Sequence, residues 1–351
     1  MSKLNKSQYI REVEKRVLKV YRDVSPSYRK LFTKKDFIEN YKQRINILRS
    51  ISLPEQIFYK RKILEIGGGT GENSIFYSLW GANVTIVDPN EISLKRAKEL
   101  YKNNNLNVVC IKKNLFELKP NFIKSFDIVI CEGVFQHTAV PSQALERILK
   151  SIRKGSIFMI AIAEKNGFYK RTLQRKFIKK ISKNNQEIIL NAKKYFKLHL
   201  DRASRFGLRS KIAIIYDTYI NPQVKAISLK KICELFYKNK FYYLSSYPSL
   251  SNTFEVTPWS QAKIEPFNYK ANIKRYKMIE KLWRVSGNLE ESKIINSYDI
   301  NKINMYLEKA DTHLKKISKS IDSKKIKNLN IEPIQKGYLG QGMNYFVGVK
   351  K

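Results

Sequence analysis

The stretch Lys62-Ile63-Leu64-Glu65-Ile66 runs straight into Gly67-Gly68-Gly69-Thr70-Gly71 and then into an amphipathic segment. No other feature of the chain constrains its fold as much. A strand that ends in glycines lets backbone approach a ligand where any Cβ would collide, and it does so at the carboxyl edge where open α/β sheets bind ligands. Downstream the alternation repeats. Short apolar runs at Asn83–Asp88, Val108–Ile111, Phe126–Ile130 and Ile157–Ala161 predict four further strands, and amphipathic stretches at Glu72–Trp80, Glu91–Asn103 and Pro141–Ile152 predict helices between them. This is the signature of βαβ units around a parallel sheet.

Around that core the chain divides by composition. Residues 1–57 alternate charged with apolar positions, with Val13, Val17, Val20 and Tyr21 at helical spacing, and predict a helical N-terminal extension before Pro54. Residues 58–164 carry the glycine turn and the first five strands. Residues 165–211 are densely basic, through Lys170, Arg171, Arg175, Lys176, Lys179, Lys180, Lys193, Lys194, Arg202, Arg205 and Arg209, and predict a helical insertion or lid. In 212–257 the α/β pattern resumes at Ile212–Tyr216, with a helix near Ser228–Tyr237 and a strand at Phe241–Ser245. Residues 258–351 predict charged helices and close on Met343–Val349, a run of strand composition that returns to the sheet as an antiparallel partner. Thr253–Val256 competes for that place.

The glycines alone do not choose the ligand, because dinucleotide sites use the same device. Those sites need glycine at positions one, three and six, where a pyrophosphate meets the helix N-terminus. Counting from Gly67, position three is Gly69 but position six is Glu72. A carboxylate there, with Glu65 before the turn, repels a pyrophosphate and welcomes a cationic ligand such as a sulfonium with an ammonium. Asp88 ends strand two about 17 residues beyond the last glycine, placed to accept both ribose hydroxyls of an adenosine-containing ligand.

Leu64-Glu65-Ile66-Gly67-Gly68-Gly69-Thr70-Gly71, Val87-Asp88, Phe126-Asp127-Ile128-Val129 and Gly133-Val134-Phe135-Gln136-His137-Thr138 together resemble the class I S-adenosylmethionine-dependent methyltransferase family. The likeness covers roughly residues 58–165, and weakly 212–247. It implies an α/β, Rossmann-like, seven-stranded, mostly parallel sheet with helices on both faces, and S-adenosylmethionine as cofactor. By the same resemblance Gly67 and Gly69, with Gly68 and Gly71 in the turn, contact the methionine moiety, Glu65 orients its amino group, Asp88 takes the ribose, and Asn90 or its neighbours edge the adenine. Asn114 with Leu115 follows strand three and Cys131 ends strand four, completing the cofactor contacts. Asn114 stands where the family usually has Asp; its side-chain oxygen still accepts a hydrogen bond, without charge assistance.

Methyl transfer from a sulfonium is an in-line displacement, so a base is needed only when the acceptor must lose a proton. His137 is the first candidate, with a loop-fixing structural role as its alternative. Glu132 and the Asp217-Thr218-Tyr219-Ile220-Asn221-Pro222 segment offer further acids or a phenol, that of Tyr219, each with a loop or capping role as its alternative. A covalent role for Cys131 is disfavoured, since Glu132 beside it raises a thiol pKa and no proline precedes it.

The acceptor expected is an oxygen, nitrogen or carbon of a small or metabolite-sized molecule. A net charge of +38 admits a second class, RNA, with the basic insertion and N-terminal arm tracking phosphates beside Tyr9, Tyr21, Tyr28, Tyr169, Tyr195 and Phe196; the alternative is that these aromatics are helix core faces. A third possibility is a cofactor-binding module without catalysis. Cys110, Cys131 and Cys233 form no CxxC pair and there are three histidines, so neither disulfide nor metal is expected. No apolar run reaches the roughly 18 residues of a membrane span and no secretory signal is evident, which points to the cytosol.

Overall fold

The computed structural model describes residues 6–24, 28–29, 31, 33–251, 265–285, 300–323, 325–326, 329–335 and 343–351. Seven strands, β1 (Lys62–Ile66), β2 (Asn83–Asp88), β3 (Val109–Lys112), β4 (Ile128–Glu132), β5 (Ile157–Ile162), β6 (Phe241–Tyr247) and β7 (Asn344–Lys350), form one sheet in the order β3-β2-β1-β4-β5-β7-β6. The pairs from β3 to β5 are parallel, and β7 lies antiparallel between β5 and β6. The closing run of the chain therefore takes the antiparallel place; its competitor at Thr253–Val256 lies outside the described residues.

Parity along the strands fills two layers, because successive side chains point to opposite faces. Ile63, Ile86, Ile128, Ile130 and Met159 enter one core, while Leu64, Ile66, Val129, Cys131, Phe158 and Ile160 enter the other. Full burial of each such side chain is worth about 1.5–3 kcal/mol relative to exposure, which is why both-face burial selects these near-continuous apolar runs. The intervening helices at Glu91–Asn103 and Pro141–Ser151 cover the faces. The helix after β1 is shorter than the sequence suggests, Ile75–Leu79 instead of Glu72–Trp80. Its expected first turn is diverted: Glu72 turns its carboxylate to the Thr70 hydroxyl and to the Arg29 backbone N–H, 3.3 Å away.

The N-terminal extension is helical, as α1 (Lys6–Val24) and α2 (Lys34–Ser50). A reciprocal Thr33/Asp36 capping box starts α2. The basic segment is helical too, at Tyr169–Ile181, Asn185–Tyr195, Lys197–Gly207 and Lys211–Ile215. Ile212–Tyr216 belongs to this helical body, where Ser210 caps the last short helix by accepting from the Ala213 N–H at 3.1 Å. Leu173, Phe177, Phe196, Ile214 and Ile215 make a third core with Leu307, Leu314 and Ile317 of the C-terminal helix Ile300–Asp322. The insertion is thus built into a helical body rather than laid over the sheet as a free lid. Most of its aromatics pack against this core: Phe196 is fully buried and Tyr195 sits edge-on to Phe177, while Phe206 is 59% exposed. Among the described residues, no helix is long and apolar enough to cross a membrane.

Candidate active site

The carboxyl ends of β1, β2 and β4, with the loop after β3, open into a cavity of about 730 Å³. It lies where the strand order reverses direction between β1 and β4, the usual ligand crevice of an open α/β sheet. The glycine turn forms its floor. Gly67 has φ +71°, and a Cβ there would collide with the Val134 side chain; at Gly68 a Cβ would come within 3.0 Å of Glu65 Oε2. Gly67, Gly68 and Gly69 line the cavity, whereas Gly71 packs toward Ala97 and Tyr101, so its part is to turn the chain.

Glu65 is 2% exposed, and its Oε2 has no hydrogen-bond partner. Burial, reinforced by Glu132, pushes its carboxyl up to about 8. A buried acid without a full partner set, facing a cavity, suits a cationic group. Asp88 receives the backbone N–H groups of Gly69 at 3.0 Å and Asn90 at 2.8 Å, one on each oxygen. Burial raises it to about 6, against those two donors, and each oxygen keeps a further lone pair for a hydroxyl. Asn90 caps the helix that follows, accepting from Ile92 N–H at 3.1 Å, and donates to the Tyr21 carbonyl, also at 3.1 Å.

Asn114 and Leu115 also line the cavity. The Asn114 oxygen accepts from Phe116 N–H at 3.0 Å, while its amide nitrogen donates to Glu14 on α1. Glu14 was not anticipated from the sequence. Its Oε1 is buried without a partner, and burial raises its carboxyl above the usual range. Glu14, Leu18 and Tyr21 all line the cavity; they recur at the i, i+4, i+7 spacing of one helix face, which is the signal that could have found them.

Besides Gly71, two of the expected site residues do not join it. Cys131 shares the parity of Val129 and points into the sheet core, fully buried, with burial and then Glu132 holding its thiol far above the usual range. Tyr219 stacks on Phe196 in the helical core and donates its hydroxyl to Gln174 at 3.1 Å. The turn Tyr216–Ile220 presents Asp217 and Thr218 to the cavity instead. Glu132 lines the cavity but is held by Arg44 of α2 through both oxygens, one contact being 3.0 Å, so it is a poor base. Glu72 is likewise engaged.

His137 is placed as expected. Its Nδ1 is 2.9 Å from the Gln223 carbonyl oxygen and 3.1 Å from the Asn221 amide nitrogen. Nε2 lies 3.6 Å from Asp217. Burial lowers the ring's pKa against the pull of Asp217, so the resting imidazole is neutral at pH 7. Asp217 resists its own burial through Arg209 at 2.9 Å, then His137 and the Tyr21 hydroxyl at 3.0 Å, which together hold it below the ordinary carboxylate value. The result is an ionised acid beside a neutral base at the cavity wall.

The chain is also similar to known proteins. Residues 64–160 match the family described as a methyltransferase domain. Over 125 residues the chain is 27% identical to a ubiquinone biosynthesis O-methyltransferase of Rickettsia akari (strain Hartford), covering 34% of this chain and 49% of the relative. The chain thus spans about half the length of the curated relatives it matches. Among solved structures, PKMT2 from Rickettsia typhi aligns with TM-score 0.49 and 15% identity, covering 89% of this chain and 53% of that one. Magnesium protoporphyrin IX methyltransferase from Synechocystis PCC 6803, with bound SAH, aligns with TM-score 0.40 and 15% identity, covering 68% and 89%.

Proposed function

We propose that this chain, whose residues 64–160 are a methyltransferase domain of the class I, S-adenosylmethionine-dependent family, transfers a methyl group from that cofactor to an oxygen of a small-molecule acceptor. The observation that carries the proposal is one continuous cavity. Glu65, the glycine turn and Asp88 line one part of it, and His137 with Asp217 lines another. The naming of the matched relatives as O-methyltransferases supports oxygen as the acceptor atom.

The residues present fit the cofactor. Glu65, buried and short of partners, would hold its ammonium. Asp88 would hold the ribose hydroxyls, Gly67 to Gly69 would let the methionine part approach, and Glu14 with Asn114 and Leu115 would enclose the adenine. Glu14 there restores the carboxylate that Asn114 lacks. When bound, the cofactor supplies an electrophilic methyl on a sulfonium that leaves as a neutral thioether.

With cofactor and acceptor bound, His137 would take the proton of the acceptor hydroxyl as that oxygen is methylated. In the tautomer whose Nδ1–H donates to the Gln223 carbonyl, Nε2 carries the lone pair, and a proton taken there is met by Asp217. His137→Ala should lower kcat by about 10²- to 10⁴-fold, the range for a general base, and leave the cofactor Kd unchanged. Label from methyl-labelled cofactor should enter the small-molecule fraction of a cell extract. An unchanged kcat in the variant would remove His137 from the chemistry, and label confined to macromolecules would remove the small acceptor.

A further inference from the structure

Arg175 sits on the basic helix Tyr169–Ile181, behind the cavity wall rather than in it. Its guanidinium donates to three backbone carbonyls of one turn: Thr218 at 2.9 Å, Tyr219 at 3.2 Å, and Asn221. That turn is open to such a clasp. The Asn221 N–H reaches five residues back to the Tyr216 carbonyl at 2.7 Å, a π-type closure, and the last carbonyls of a helix have no partner within it. A guanidinium presents its donors in a rigid planar fork that the single ammonium of a lysine does not reproduce, and its positive charge suits a helix C-terminus. Burial lowers the group to about 10 against the pull of Asp217, so it stays charged at neutral pH.

Both ring nitrogens of His137 meet this one stretch of chain. Asp217, within the turn, lies 3.6 Å from Nε2. Just past the turn, the Gln223 carbonyl oxygen lies 2.9 Å from Nδ1 and the Asn221 amide nitrogen 3.1 Å from it. Asn221 and Gln223 are tied together, the Asn221 side-chain oxygen accepting from the Gln223 N–H at 3.0 Å. The Gln223 amide in turn donates to the Thr138 carbonyl, beside the histidine, at 2.9 Å. The three carbonyls that Arg175 holds all lie between Asp217 and Gln223. Without that hold the two ends of the stretch are free to shift against the ring, and the tautomer of a histidine is set by the hydrogen bond its other nitrogen makes.

We propose that Arg175 is a positioning residue for the acceptor base: by clasping residues 218–221 it keeps Asp217 and Gln223 at opposite ends of the His137 ring, with Nδ1 protonated and Nε2 bare toward the acceptor. The inference rests on the methyltransferase function proposed above, in which His137 is the base. The charge of Arg175 acts as well as its bonds. Of the groups that face the ring, Asp217 and the Gln223 carbonyl favour the protonated form, while Arg175 and Arg209 join burial, the largest effect, in opposing it. Tyr21 of α1 stands edge-on to the ring at 5.8 Å, with its hydroxyl on Asp217. Removing the Arg175 charge makes the imidazolium less costly and so raises the pKa of the ring.

The test reads the ring itself, by nitrogen-15 resonance of histidine-labelled full chain saturated with S-adenosylhomocysteine. The chain has three histidines, and the His137 signals are those missing from His137→Ala. In the unaltered protein above its titration, Nδ1 should carry the proton and Nε2 none. Arg175→Gln should give mixed tautomers, a higher titration midpoint and a kcat lower by about 10²-fold, the cost of a small misplacement at a reacting centre, with the S-adenosylhomocysteine Kd unchanged. Arg175→Lys, which keeps the charge without the fork, should also mix the tautomers but hold the midpoint nearer its original value. A folded Arg175→Gln with the tautomer and midpoint of the unaltered protein would overturn the inference. Should that variant fail to fold, a single unchanged tautomer in Arg175→Lys would overturn it, as would a proton resident on Nε2 in the unaltered protein. An unchanged kcat in His137→Ala would instead strike the base and this inference with it, so the two failures are told apart.

Discussion

At the scale of single residues, the site is governed by what burial does to acids. Glu65, at about 8, is mostly protonated at pH 7 in the absence of a cation. A cationic ligand binds the ionised form better, so binding below about pH 8 must expel a proton. Cofactor affinity should therefore rise as pH increases from 6 toward 8 and level off above it. Calorimetry in buffers of different ionisation enthalpy should register proton release of up to one per cofactor, and Glu65→Gln should abolish it. A flat pH dependence in the unaltered protein would show that Glu65 does not meet the ligand. Residues tied to the glycine turn, such as Glu65 and Asp88, were legible in the sequence because strand ends fix their place. Cys131 was misplaced for a related reason: the parity of β4 turns it inward, although it adjoins Glu132, which reaches the cavity.

At the scale of elements, the strands and the helices between them were legible because period-2 and period-3.6 apolar patterns report burial directly. What the helices outside the sheet touch was not, since local pattern says nothing about partners. Three consequences of that packing are testable. Glu14 on α1 reaches a site residue 100 positions away in sequence, Asn114, and Glu14→Ala should weaken S-adenosylhomocysteine binding by about tenfold, the value of one hydrogen bond to a charged group; unchanged affinity would detach α1 from the cofactor. Arg44 on α2 is 2% exposed and paired to Glu132 at the end of β4. Removing one partner of such a buried pair costs about 3–5 kcal/mol, so Arg44→Met should lower Tm by many degrees, with little recovered by added salt. A Tm change under about 1 °C would show the pair to be incidental. Deleting 165–211 should not yield a lidless enzyme that still binds cofactor. The deletion removes the helix Tyr169–Ile181 on which the C-terminal helix packs, and thermal melting should show loss of cooperative unfolding.

At the scale of the whole molecule, the large positive charge divides into two populations. Most lysines decorate the surface. A few arginines, Arg29, Arg44, Arg171 and Arg209, converge on one cavity from α1–α2, from the basic segment and from its end. The charge excess was plain in the composition, but its inward focus arises only from tertiary folding, because these residues are separated by most of the N-terminal and central chain. The same holds for the His137–Asp217 pair, 80 positions apart, of which the sequence had pointed to one member and to the neighbourhood of the other.

All of this hangs on the cavity above β1 and β2 holding S-adenosylmethionine, and Asp88 tests that most directly. Its carboxylate would receive two ribose hydroxyls, each worth roughly 1.5–3 kcal/mol as a hydrogen bond to a charged group. Isothermal titration of S-adenosylhomocysteine should give one site on the unaltered protein, and Asp88→Ala should weaken it by at least about a hundredfold, with Asp88→Asn, which retains an oxygen for only one of the Gly69 and Asn90 N–H groups, falling between. No binding to the unaltered protein, or equal binding to the folded Asp88→Ala variant, would contradict the assignment.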